Sequence, residues 1–245
     1  MQPAIFLDRD GVINENRVDH VLRWDDFAPI PGSLDALRRL SRLGLPIFVV
    51  TNQAVVGRGA LTPAALDELH ARMGALAARH GGRITHVYAC PHRPEERCLC
   101  RKPRPGLFLR AAWERGLGLA RSYYVGDALS DIAAGQAAGC VTIAVQTGRG
   151  RTQLALPEAR RYSGYHLARD LADAARFIGR HRALATRGMG ARLAPALLGA
   201  PAALGVTDFG DMQPATKVAW QTTATEVTPG HCQQRHQYRQ YRRGL

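Results

Sequence analysis

Short apolar runs alternate with longer stretches in which apolar positions recur every three or four residues, and this alternation persists to about residue 182. The runs at 4–7, 46–51, 86–89, 122–125, 141–145 and 164–168 are apolar at consecutive positions, the pattern of strands covered on both faces. Between them the period lengthens. Across 33–43, Leu34, Leu37 and Leu40 fall at i, i+3 and i+6, one face of a helix. The stretch 62–79 opens with Thr62 in N-cap position and Pro63 in the first turn, and Gly81-Gly82 follows it. Segments 107–115, 130–138 and 170–180 complete the helical series. Such alternation predicts an α/β fold with a doubly wound parallel sheet, whose sites lie at the carboxyl ends of the strands. Past about Arg187 no period holds, Ala, Gly, Pro, Thr and Gln dominate, and the stretch 233–243 is polar and basic. A domain over 1–182 and a poorly ordered extension over 183–245 are therefore expected.

Composition narrows the class. The chain has 245 residues, 46% of them hydrophobic, enough for a buried core. Its formal net charge is +13, yet only Lys102 and Lys217 among 33 basic residues are lysines. The arginines do not gather into a block interleaved with aromatics, so a nucleic-acid partner is not expected, whereas a small anionic substrate is. The segment 193–206 is the nearest approach to a membrane span, and it is short and carries Pro195 and Pro201. The first strand-like run begins within the first few residues, so no secretory leader is expected and the protein is read as a cytoplasmic monomer. Three of five cysteines cluster at Cys90, Cys98 and Cys100, which favours metal ligation in a reducing compartment over disulfides.

Four stretches carry candidate chemistry. Ile5-Phe6-Leu7 runs into Asp8-Arg9-Asp10-Gly11, and carboxylates at i and i+2 point to one side of a strand end. Two acids so close need a cation between them or a retained proton. An Asp-rich turn fits this stretch alone equally well. Thr51-Asn52-Gln53 ends the second strand with hydrogen-bond donors suited to a phosphate oxygen, or forms an ordinary Thr/Asn turn. Lys102, in Arg101-Lys102-Pro103, is a compact point charge in a chain that otherwise uses arginine, although a solvated surface lysine is also compatible. Gly126-Asp127 ends the fourth strand, with Asp131 four residues on as an outer partner or a helix N-terminal acid. Separately, Cys90-x-His92-x5-Cys98-x-Cys100 offers a complete tetrahedral zinc set with no open position, a structural pin for its loop.

In this order the elements DxDG, TNQ, RKP and GDxxxD resemble the four motifs of the haloacid dehalogenase-like (HAD) phosphohydrolase superfamily, over roughly residues 1–182. The resemblance implies a phosphomonoesterase in which Asp8 is the nucleophile and forms an aspartyl-phosphate. Asp10 would serve as acid and then base, while Thr51 and Lys102 stabilise the transferring group. It also implies Mg2+ held by Asp8, the backbone carbonyl of Asp10, and Asp127. About 40 residues separate Asp10 from Thr51 and about 50 separate Thr51 from Lys102, too few for a large cap domain. The cysteine cluster just before RKP resembles the branch of heptose-bisphosphate and histidinol-phosphate phosphatases. By that likeness the substrate, a phosphorylated sugar, meets Arg9, Asn16, Arg17, Val18, Asp19, Asn52, Gln53, Ala54 and Arg101. A heptose bisphosphate ranks first and histidinol phosphate second. A nucleic-acid end-processing protein and a zinc-stabilised binding module are remote alternatives. The chain departs from the heptose pattern at Ala54-Val55-Val56 and at Ala128, where that branch commonly carries a lysine.

Overall fold

A computed structural model describes residues 1–186. It contains the strands β1 (Ile5–Leu7), β2 (Ile47–Asn52), β3 (His86–Cys90), β4 (Tyr123–Gly126), β5 (Val141–Val145) and β6 (His166–Ala168). The helices are α1 (Ser33–Ser41), α2 (Ala54–Gly57), α3 (Pro63–Arg79), α4 (Gly106–Arg115), α5 (Leu129–Ala137), α6 (Gly150–Leu154) and α7 (Leu171–Thr186). All six strands form one parallel sheet in the order β3-β2-β1-β4-β5-β6. β1 is central, with Phe6 opposite Phe48 of β2 on one side and Tyr124 of β4 on the other. The first strand in sequence thus ends in the middle of the sheet, between the two strands that carry the other candidate motifs.

Alternation along the strands divides the core in two, as the consecutive apolar positions require. Ile5, Leu7, Ile47, Val49, Val125, Ile143 and Val145 face a layer built from Leu37 and Leu40 of α1, Leu66, Leu69 and Met73 of α3, and Ala174 and Ile178 of α7. The opposite face is aromatic: Phe6 stacks on Phe48, and Phe108 of α4 meets the edges of Phe6 and Tyr124. α5 closes this side over β4 and β5, with Gly135 against the Tyr124 ring. Every named core residue above is less than a tenth exposed.

All six expected strands are present; 141–145 is met at both ends, and the other boundaries differ by at most two residues. α2 and α6 were not foreseen, because helices of four and five residues are too short to display a period. α3 starts as expected, with the Thr62 hydroxyl accepting from the Ala65 amide at 3.1 Å. α7 continues to Thr186, beyond the boundary expected at 182. The polar run near 180 masked this extension, yet the helix is anchored there: Tyr123 Oη lies 3.0 Å from His181 Nδ1, and Arg182 donates to the Leu43 carbonyl. Residues 187–245, where a poorly ordered extension was expected, lie outside the described residues. Among the described residues no helix is long and apolar enough to cross a membrane.

Candidate active site

The carboxyl ends of β1, β2 and β4 converge on one cluster of charged groups. Leaving β1, the chain folds into a tight loop in which the Arg9 carbonyl accepts from the amides of Ile13 (2.8 Å) and Asn14 (3.2 Å). Gly11 makes the turn with φ +82°, and a Cβ there would lie 2.1 Å from Asp127 Oδ2. Gly148 approaches from the β5 side, where a Cβ would lie 2.4 Å from the same oxygen. The two glycines leave room for the Asp127 carboxylate to reach β1.

Asp8, Asp127 and Asp131 are all buried, and one carboxylate oxygen from each lies within 4.8 Å of the others. Lys102 is the cation among them. Its Nζ is 2.9 Å from Asp8 Oδ2 and 2.7 Å from Asp131 Oδ1, and it reaches the Val50 carbonyl at 3.1 Å and Tyr124 Oη at 2.9 Å. Four acceptors thus share three ammonium hydrogens. Asp131 is fully engaged: Oδ2 caps α5 by accepting from the amides of Asp127 and Ala128, and Oδ1 accepts from Tyr124 as well as Lys102. Asp127 is not. Its Oδ2 accepts from the Arg149 amide at 2.8 Å, whereas its buried Oδ1 has no hydrogen-bond donor, the nearest cation being the Arg149 guanidinium at 3.7 Å.

This imbalance shows in the proton affinities. Burial, reinforced by the charges of Asp131, Asp127 and Asp10, pushes Asp8 up to about 8 against the opposing pull of Lys102. Burial likewise raises Asp127 to about 6, with Asp131 adding to the rise. Burial would also raise Asp131, but Lys102 outweighs it and keeps that carboxyl below its usual range. One lysine cannot neutralise three buried acids. An orphaned carboxylate oxygen facing another acid is the donor set a hard divalent cation takes, and Asp8 with Asp127 fit Mg2+.

Asp10 lies beside this cluster with a different environment. Its carboxylate accepts three hydrogen bonds from Arg9 (2.9–3.0 Å), one from Asn14 Nδ2 (2.9 Å) and one from Gln53 Nε2 (2.9 Å). Burial would raise it, but Arg9 and these donors hold it below the ordinary carboxylate range. So engaged, its carboxylate is not among those that gather at Asp127, and what it can offer a cation is its backbone carbonyl. Gln53 also donates to Thr51 Oγ1 at 2.8 Å, which ties the β2 motif to the β1 loop. Asn52 clamps the backbone of Lys102 from both sides, accepting from its amide at 3.1 Å and donating to its carbonyl at 3.2 Å.

A cleft of about 500 Å³ opens above these groups. Asp8, Asp10, Thr51, Lys102, Asn16, Asn52, Gln53, Ala54 and Arg101 line it. Arg9 does not. It is 2% exposed and sits behind Asp10, so the expectation that it touches substrate gives way to a supporting role. Arg17 and Asp19 pair with each other at 2.6 Å on the exposed loop, Val18 projects into solvent, and none of the three lines the cleft. A run of consecutive loop residues cannot all face one way, and here Asn16 and His20 are the ones turned inward. The sequence reading missed His20, Arg58, Arg97, Arg104 and Arg149 on the wall. With arginine so abundant, none of these stood out. Asn14, Tyr124 and His70 were missed too. The signal for His70 was present, since it falls on the buried stripe Leu66, Leu69, Met73, Ala77 of α3.

At the cleft rim, Cys90, His92, Cys98 and Cys100 close on one point. The Sγ–Sγ separations are 3.4–3.5 Å, and His92 Nδ1 is 3.2 Å from Cys100 Sγ and 3.6 Å from Cys90 Sγ. A tetrahedron with metal–sulfur arms of about 2.3 Å has edges of about 3.8 Å, so these donors need to spread only slightly to hold zinc. Arg101 donates to the His92 carbonyl at 3.2 Å, and Arg104 to the carbonyls of Arg97 and Cys98, so the loop's own arginines bind it to the cleft wall.

Comparison with known proteins agrees with this geometry. The HAD-hydrolase-like family model matches residues 99–174. The D-glycero-beta-D-manno-heptose-1,7-bisphosphate 7-phosphatase of Pseudomonas putida is 41% identical over 150 residues, covering 61% of this chain and 86% of that protein. The enzyme of the same name from Escherichia coli K12 is 40% identical over 181 residues, covering 70% and 91%. The crystal structure of the D,D-heptose 1,7-bisphosphate phosphatase from B. bronchiseptica, complexed with magnesium and phosphate, superposes with a TM-score of 0.67 at 37% identity, covering 73% of this chain and 99% of that one. With acid, hydroxyl, lysine and acid converging at the strand ends, and relatives this similar over most of their length, the chain belongs to the HAD-like phosphatases, in the family of D-glycero-beta-D-manno-heptose-1,7-bisphosphate 7-phosphatases.

Proposed function

We propose that this chain hydrolyses a sugar phosphomonoester through an aspartyl-phosphate on Asp8, and that its substrate is D-glycero-beta-D-manno-heptose 1,7-bisphosphate, cleaved at the 7-phosphate. The observation that carries the reading is the Asp8 carboxylate on the cleft floor, 2.9 Å from the buried Lys102 ammonium and beside the unsatisfied oxygen of Asp127. Mg2+ held by Asp8, Asp127 and the Asp10 carbonyl would offset the repulsion between an anionic nucleophile and an anionic phosphate.

The residues divide the work. An Asp8 oxygen attacks phosphorus as the bond to the sugar oxygen breaks, and Lys102 and Thr51 face the charge that develops on the equatorial oxygens. Asp10 delivers a proton to the departing oxygen. In the resting site Asp10 is ionised, so it takes up that proton as the phosphate dianion arrives and raises its proton affinity. In the second half Asp10 removes a proton from the water that attacks the phospho-aspartate, and phosphate leaves with Asp8 restored. Arg101, with Arg58, Arg97, Arg104 and Arg149 around the cleft, suits a substrate bearing a second phosphate. Arg149 also places a cation 3.7 Å from Asp127, the residue before Ala128.

The Cys90, His92, Cys98 and Cys100 set is read as a structural zinc site, since four protein ligands leave no place for substrate. Cys90, Cys98, Cys100 and Cys140 form no disulfide among the described residues, which suits a reducing, cytoplasmic setting. Phosphate release from the heptose bisphosphate and from histidinol phosphate, measured side by side with Mg2+, tests the assignment. The bisphosphate is expected to turn over faster, and Asp8→Asn to release none. Preference for histidinol phosphate would overturn the substrate, and activity in Asp8→Asn would overturn the nucleophile.

A further inference from the structure

We propose that His70 is a positioning residue for the acid–base step: from α3 it holds the Arg9 guanidinium, and Arg9 in turn fixes the Asp10 carboxylate against the leaving oxygen. The proposal rests on the phosphatase reading above and extends it to a residue that does not reach the cleft.

Arg9 divides its fork between two partners. Nε and Nη2 are spent on Asp10, and Nη1 points the other way, 3.4 Å from His70 Nε2. A guanidinium has only donors. Nε2 must therefore present its lone pair, and the imidazole proton sits on Nδ1. Burial, with the neighbouring Arg9 charge, pushes His70 down to about 3, so the ring stays neutral and able to accept. Neither group has an alternative place in solvent: Arg9 is 2% and His70 8% exposed. Among the described hydrogen bonds, His70 is the only partner of Nη1.

Removing the imidazole acceptor frees the far side of the fork. Arg9 then settles to satisfy Nη1, and Asp10 follows, because three of its five hydrogen bonds come from that one side chain. Displacement of a proton donor by a fraction of an ångström slows proton transfer much more than it weakens binding. The effect must also depend on the leaving group. A sugar alkoxide needs the Asp10 proton, whereas 4-nitrophenolate departs without one.

The test compares wild type, His70→Leu and His70→Gln on the sugar phosphate and on 4-nitrophenyl phosphate with saturating Mg2+. His70→Leu is expected to lower kcat/KM, which reports the first displacement alone, about 10- to 100-fold on the sugar phosphate and less than about threefold on 4-nitrophenyl phosphate. His70→Gln, whose amide carbonyl can accept from Nη1, is expected to recover most of the loss. Equal losses of kcat/KM on both substrates, no loss, or glutamine no better than leucine would overturn the proposal. Wild-type inactivity on both esters would instead count against the phosphatase reading. A measurement independent of turnover, the imidazole 15N spectrum of the wild-type protein, decides the tautomer. A proton found on His70 Nε2 would end the proposal whatever the kinetics.

Discussion

Lys102 meets three requirements at once: it pairs with Asp8, orders Asp131 and lines the cleft. Removing its charge leaves two buried carboxylates without their cation. Lys102→Met is therefore expected to abolish activity and to destabilise the fold by about 3–5 kcal/mol, read as a lowered urea midpoint. If the midpoint holds, the buried pairs do not carry the stability argued here. Asp8→Asn should behave differently. It removes one acid from a site with surplus negative charge, so kcat falls by at least about 10³-fold while stability is kept or gained. Calorimetry alongside the phosphate assay separates the two. Lysine in an arginine-rich chain was a legible signal at this scale, and so were the acids at strand ends. Tyr124, a partner of Lys102, was not, because it reads in sequence as one more apolar position of a buried strand.

At the scale of elements, the α3 histidine makes a stability prediction apart from its proposed role in turnover. Its folded value of about 3 lies below the ordinary 6.5, so between those values the unfolded chain binds a proton that the folded chain refuses. Stability contributed by the neutral ring is fully present above pH 6.5 and is lost as pH falls toward 3. The wild type is expected to lose up to about 1.4 kcal/mol per pH unit more than His70→Gln across that window, measured by denaturant titration at several pH values. Parallel curves would show the ring to be indifferent.

The Cys90–Cys100 loop, proposed to hold zinc, is the second element with its own test. Only Arg101 separates Cys100 from Lys102, so the position of the lysine depends on the order of the thiol cluster. Withdrawal of zinc by a strong thiol-competing chelator is expected to reduce activity and thermal midpoint together, and excess Mg2+ is not expected to restore either. Zinc content measured with activity checks this. The long periods and the cysteine spacing made these elements readable in advance, whereas α2 and α6, each scarcely a turn, left no periodic trace. The loop 15–20 misled because spacing does not reveal which of several polar side chains turns inward.

For the molecule as a whole, the cleft floor is acidic and its rim is lined by Arg58, Arg97, Arg101, Arg104 and Arg149. An anionic substrate is drawn in by that rim before it meets the acids. Raising ionic strength from about 0.01 to 0.5 M is expected to lower kcat/KM about three- to tenfold with kcat nearly unchanged, seen in initial rates at fixed Mg2+. An unchanged kcat/KM would remove the arginines from substrate capture. The sheet explains why the floor was legible and the rim was not. Strand ends are fixed by core packing that leaves a periodic record, whereas the wall residues stand on loops whose course depends on contacts far apart in sequence.

β1 lies between β2 and β4 in unbroken parallel register, so Asp8, Thr51 and Asp127 are mounted on neighbouring rails of one rigid frame. Whatever the loops around residues 12–20 and 91–101 become, that spacing is inherited unaltered. Selectivity in such a protein can be rewritten by exchanging two surface stretches, with the engine beneath left as it was.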